Sequence, residues 1–209
     1  VKESQTREQE HLYGQHVHER YLPYRLILSF AMLGIAMLFI VLMLAFLFSR
    51  NETAQAVPFP RLFLLSTLLL GGSSLAIQKA RSAFRAEKRT RYARLVIVTL
   101  LLGLAFMASQ IGAWYVLQDH GIFVNTFAAA SYLYLLTGLH AVHMFAGVAI
   151  LLLFAWPAWR YTRHEGTALY YFSDPARLLH LDLIRIYWHF LAAIWGLLLL
   201  FFLLGSDLL

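Results

Sequence analysis

Three imidazoles stand in stretches that otherwise hold almost nothing polar: His140 and His143, three residues apart within 127–156, and His189 within 183–204. Hydrocarbon offers a ring nitrogen no partner, so each must hydrogen-bond inside protein or ligate something. Haem or metal ligation would set His140 or His143 opposite His189 on a facing helix, with a gap between them. Trp188 and Trp195 are bulky neighbours for such a gap. The other chemistry is helix packing. At about 100° per residue, Thr137, His140, His143, Met144 and Gly147 share one helix face. Gly138 and Gly147 would allow close backbone approach while the imidazoles bond across the contact. Arg185, Trp188, His189, Ala192, Trp195 and Gly196 share one side of the last helix in the same way. We read the three histidines as neutral packing residues, with no metal, cofactor or catalytic residue in this chain.

The remaining polar residues lead to the same reading. Ser66, Thr67, Gly71, Gly72, Ser73 and Ser74 form a small, hydroxylated patch suited to close helix packing. His11, His16 and His18 lack the carboxylate or thiolate that would complete a metal site, and read as a solvated or partner-contacting tail. Asp182 and Arg185 read as an ion pair at a span boundary. All 11 acidic residues fall outside the apolar cores, which argues against a carboxylate relay through the chain. Cysteine is absent, excluding disulfides and iron–sulfur ligation. No phosphate-binding glycine loop, nucleophile elbow or HExxH pattern occurs.

These residues must be positioned by membrane helices. The sequence is 60% hydrophobic and 13% charged, with the apolar residues gathered in long blocks. The fold class is all-α, five transmembrane helices in a bundle, at about 25–48, 62–78, 95–117, 127–156 and 183–204, preceded by a polar segment 1–24. One membrane domain, 25–209, follows from this. All five prolines, Pro23, Pro58, Pro60, Pro157 and Pro175, fall outside or at the edges of the blocks. Between 79 and 94 there are seven basic residues and one acid, Glu87, whereas 118–126 holds no lysine or arginine. The basic segment is therefore expected to be cytoplasmic, which places the amino terminus inside and the carboxyl terminus outside, in the periplasm. Tyr21, Tyr24, Trp114, Tyr115, Trp156, Trp159 and Tyr161 sit where interfacial anchors belong. The net charge of +6 is then mostly topology signal and calls for no nucleic acid. The polar first 24 residues show no cleavable signal peptide.

Thr137-Gly138-Leu139-His140-Ala141-Val142-His143, followed by Tyr187-Trp188-His189-Phe190 with Trp195 six residues after His189, resembles subunit III of the haem-copper oxidases. Leu65-Ser66-Thr67, Gly72-Ser73-Ser74 and Ser109-Gln110 are similar to that family too, and the five-helix pattern matches its short bacterial form. The resemblance implies a non-catalytic, lipid-binding structural subunit of a bacterial terminal oxidase in the inner membrane. It would pack on catalytic subunit I beside other oxidase subunits, with haem and copper held by those partners. The complex would reduce dioxygen and translocate protons. The resemblance also implies phospholipid near Ser73, Ser74, His140, His143, Trp188 and His189. Three positions depart from the family: Ile35, Ala113 and Ala192 stand where acidic residues are usual, which puts a contribution to proton uptake in doubt. Asp182 matches an acidic position.

Three other readings stay open at this level. One is the accessory subunit of a nitric oxide reductase. Another is a haem b-carrying anchor using His140 or His143 with His189. The third is a transporter, disfavoured by unbroken helices and missing intramembrane charge. The sequence does not decide between cytochrome c and quinol as donor, or membership of a supercomplex.

Overall fold

A computed structural model describes residues 2–49, 62–161 and 170–207, with side chains from residue 22 onward except 175 and 205–207. Five long helices stand among the described residues, in order: α1 Lys2–Phe48, α2 Leu62–Arg85, α3 Arg89–Asp119, α4 Ala128–Tyr161 and α5 Pro175–Asp207. Among the described residues there is no strand, and each helix is long and apolar enough to cross a membrane. The side chains of His11, His16 and His18 lie outside the described set.

The helices outrun the apolar blocks, chiefly at charged ends. α2 continues through Lys79, Arg81 and Arg85, α3 begins at Arg89, and the loop between them shrinks to residues 86–88. Long aliphatic stems let basic heads reach water while the backbone stays helical, so hydropathy falls before the helix ends. The helix also does not stop at every proline. Pro175 opens α5, where its missing N–H costs nothing. Pro157 lies within α4 near its end, and Pro23 lies inside the continuous helix α1. Each of these two removes one intrahelical bond without ending the helix.

α2, α3, α4 and α5 form a closed ring in which α2 touches α3, α3 touches α4, α4 touches α5 and α5 returns to α2. α1 lies outside the ring against α4 and α5. The ring closes on aromatic side chains: the edge of Phe106 meets Trp195 at 5.1 Å and 86°, and His140 at 5.7 Å and 81°. Phe39 of α1 reaches the same cluster. Outward faces remain apolar, as on α1 at Ile27, Phe30, Leu33 and Met37. Tyr24, Tyr115 and Trp156 are exposed, as interfacial anchors require, but Trp114 turns inward and donates to Thr137.

Two helix ends are finished by left-handed residues. Gly121 (φ 74°) closes α3, with Ile122 N–H bonded to Leu117 C=O and Gly121 N–H to Gln118 C=O. Glu87 (φ 52°) does the same for α2, with Lys88 bonded to Ala83 and Glu87 to Phe84. A left-handed residue with a Cβ is strained by about 1–2 kcal/mol.

The close approach of helices is set by one indole and two glycines. A Cβ on Gly103 would lie 2.8 Å from the Trp188 ring, and one on Gly147 would lie 3.1 Å from Leu191 and 3.4 Å from Trp188. Gly147 thus lies at a close approach between helices, whereas a Cβ on Gly138 meets nothing within 4 Å. Gly103→Ala is expected to cost about 1–3 kcal/mol through displacement of the indole, whereas Gly138→Ala, with open space for its Cβ in a helix interior, should be neutral or gain up to about 1 kcal/mol. Thermal unfolding of the two variants in detergent checks the contrast. Glu87→Gly, relieved of its strained φ but carrying glycine's larger unfolded-state entropy, should gain up to about 1 kcal/mol in the same measurement.

Candidate functional site

The polar side chains of α2 and α5 meet in one continuous seam. Beginning deep in the bundle, the Trp195 indole N–H donates to Thr67 Oγ1 at 3.0 Å and the Trp188 N–H to Ser73 Oγ at 2.6 Å. Next, His189 Nδ1 pairs with Ser74 Oγ, and Nε2 lies 3.4 Å from Gln78 Oε1. Arg185 Nη1 donates to the same Gln78 oxygen at 3.0 Å. The seam ends where Arg81 grips the Asp182 carboxylate with two nitrogens, Nε and Nη2, while Arg185 Nε approaches it at 3.4 Å. From Thr67 to Arg81 the seam advances 14 residues along α2 while it returns 13 along α5, from Trp195 to Asp182, as two antiparallel helices in fixed register require. Ser66 adds a bond to Ser109 of α3 at 2.8 Å.

Asp182 therefore differs from its expected role. It sits in the second turn of α5, 7% exposed, and its principal partner is Arg81 on another helix. The pair with Arg185 at a span boundary is only the lesser part of the contact. Burying one carboxylate between two guanidiniums makes the loss of any partner costly, because a charge is left without compensation.

The histidines divide. His189 spends both ring nitrogens on α2. His143 is partly buried, and its Nδ1 bonds to Leu139 C=O of its own helix at 2.8 Å. Tyr187 of α5 donates to the backbone oxygen of His143 at 3.2 Å. His140 is fully buried among Phe39, Phe106 and Trp195, and neither nitrogen meets a protein partner. The expected bonds from both imidazoles of α4 to a facing helix are thus replaced by a back-bond and an aromatic enclosure. Haem does not fit here: the rings around His140 lie 5.4–6.4 Å away and leave no room for a macrocycle, while His189 faces a different helix. Among the described residues no three His, Cys, Asp or Glu side chains are grouped to hold a metal ion.

Of the other expected packing residues, Thr137 is buried, accepts from the Trp114 indole N–H at 3.1 Å and donates to Leu133 C=O at 2.7 Å. Ser73, Trp188 and His140 are wholly enclosed by protein. Ala113 is wholly buried, while Ile35 and Ala192 are partly buried against the core.

Several participants were not singled out in the sequence. Gln78 and Arg81 continue from Ser74 at helical spacing, Gln78 as the last residue of the apolar block and Arg81 in the basic segment beyond it, where hydropathy gives no sign of helix. A pocket of about 360 Å³ opens at this end of the seam, lined by Arg25 and Ser29 of α1, Arg81 of α2, and Asp182 and Arg185 of α5. Three guanidiniums against one carboxylate make it attractive to an anion. Nearby, Tyr92 and Tyr171 share a hydroxyl contact of 3.2 Å, and the Arg177 guanidinium lies 4.2 Å from the Tyr171 ring centre. Burial pushes the Tyr171 phenol above its ordinary range, partly offset by its bond to Tyr92 and by Arg177.

Removing the acceptor in Ser73→Ala leaves the Trp188 N–H unsatisfied, at an expected cost of about 1–3 kcal/mol. Thr67→Ala should act likewise on Trp195. Unfolding of both variants in detergent, against Ser74→Ala as a less buried control, measures the effect.

The chain is similar to several known proteins. It is 33% identical over 144 residues, 68% of this chain and 61% of the other, to a probable cytochrome c oxidase subunit 3 of Mycobacterium leprae. It is 28% identical over 134 residues to a cytochrome c oxidase subunit 3 of Corynebacterium diphtheriae, covering 63% and 60% of the two chains. With the corresponding protein of a Synechocystis strain it shares 26% over 131 residues, covering 63% and 51%. The chain thus spans about half to three fifths of the length of these relatives. The sequence profile of cytochrome c oxidase subunit III matches residues 9–206, nearly from end to end, and the chain belongs to that family.

Proposed function

We propose that this protein is a non-catalytic, lipid-binding structural subunit of a bacterial haem-copper oxidase. It packs on catalytic subunit I in the inner membrane and leaves haem and copper to its partners. Family membership is the observation that carries this reading. It is supported by the way the bundle uses its chemistry: the hydroxyl, imidazole, amide, guanidinium and carboxylate groups of the α2–α5 seam are all engaged with one another. What the bundle offers outward is apolar surface, of the kind that a partner helix or an acyl chain covers. Basic residues clustered where α2 passes into α3 support a cytoplasmic placement of that end, with the amino terminus inside and the carboxyl terminus in the periplasm.

For lipid, the arginine-lined pocket is better suited than the seam. Ser73, His140 and Trp188 are enclosed by protein, and Ser74 and His189 are taken up by each other. Arg25, Arg81 and Arg185 instead present charge at the edge of the apolar core, where a phospholipid phosphate would sit.

A tagged chain isolated from its native membrane in mild detergent is expected to bring a haem-containing catalytic subunit with it. After separation, the chain should carry no haem of its own. Stoichiometric haem on the separated chain, lost in His189→Ala, would refute the scaffold role; a nitric oxide-reducing partner would point to the related reductase complex. Arg25→Gln, which leaves the Arg81–Asp182 pair intact, should lower anionic phospholipid retained by the complex, as read by mass spectrometry of the extracted lipid.

A further inference from the structure

Gln110 of α3 and His140 of α4 are 2% and 0% exposed, and neither the amide oxygen, the amide nitrogen nor either ring nitrogen meets a protein hydrogen-bond partner. Two such groups in one apolar core are a heavy liability unless something completes them. Their placement relates them. Phe106 and Trp114 stand one turn to either side of Gln110 on the same face of α3. Phe106 packs edge-on against His140 itself, and the Trp114 N–H donates to Thr137, one turn before His140 on α4. Gln110 is thereby held on the stretch of α3 that faces His140. Phe39, Phe106 and Trp195 surround the imidazole with ring carbon and supply no competing acceptor. The carboxylates that might have answered these groups are also missing: Ala113 is buried on the same face of α3 as Gln110, and Ile35 and Ala192 pack against the core.

A neutral imidazole has one donor and one acceptor, and a primary amide has both kinds. The two side chains are complementary but make no direct bond. One water, which can donate and accept at once, answers one polar atom of each side chain, so that neither group is left wholly without a partner. We propose that Gln110 and His140 together bind a single buried water molecule that ties α3 to α4 inside the apolar core. The site is structural: the groups that form it are enclosed by the bundle, so the water is retained with the fold and does not belong to a channel.

Two measurements on the full chain in its purified complex test this. In a double-mutant cycle, Gln110→Leu and His140→Leu should each lower the thermal midpoint by roughly 2–10 °C, because each leaves the other group unsatisfied. The double variant, with both polar groups gone, should recover most of that loss. Additive losses would overturn the proposal. A high-resolution cryo-EM map of the wild-type complex should place one solvent peak within hydrogen-bond distance of both the Gln110 amide and the His140 ring. A direct bond between the side chains, or no peak there, would overturn it even if the variants fail to fold.

Discussion

Hydrocarbon cannot hydrogen-bond, and that constraint organises this bundle. A polar side chain placed within a span has to be answered by another helix, by its own backbone or by something enclosed with it. α2, the least apolar of the five spans by mean hydropathy, carries the largest burden. It is answered along its length by α5, from Thr67 with Trp195 to Arg81 with Asp182. Single interhelical hydrogen bonds in membranes contribute only about 0.6–2 kcal/mol each. Their collective effect is to define register, since sliding α5 by one turn would break all of them together.

Register in turn places Trp188 where its ring fills the space left by Gly103 and Gly147 while its N–H reaches Ser73. One side chain thereby joins α2, α3, α4 and α5. This is how a ring of four helices holds together when apolar surface gains little by leaving lipid for protein. α1 stands outside this arrangement, bound through Phe39 and its neighbours and apolar on its far side. A helix attached in this way is suited to stand between the ring and whatever adjoins it in the membrane.

The polar groups of the bundle fall into three kinds of environment, and the distinction bears on function. Those of the seam are satisfied by one another. Those of the arginine-lined pocket, which shares Arg81, Asp182 and Arg185 with the end of the seam and adds Arg25, are in excess positive charge and open to the outside. Gln110 and His140 are closed in and answered by no protein group. The three environments separate side chains whose partners are one another from those that remain for a ligand.

The all-helical class, the five spans and the family were legible in the sequence, because hydrocarbon thickness translates directly into runs of apolar residues and because the paired histidine and Trp-His-Phe motifs are distinctive. Of the α4 face that helical periodicity draws together, Thr137, His140, Met144 and Gly147 are buried, whereas His143 is only partly so. Helix ends were not legible, since Arg81 and Asp182 lower hydropathy while remaining helical and becoming each other's partners. Periodicity tells which residues share a face, not which face meets which. Only the tertiary structure could decide that His189 turns to Ser74 and Gln78, that His140 ends among aromatic rings, and that Gly103 and not Gly138 receives the indole. Those outcomes depend on the relative rotation and register of separate helices, which the order of residues along any one of them does not contain.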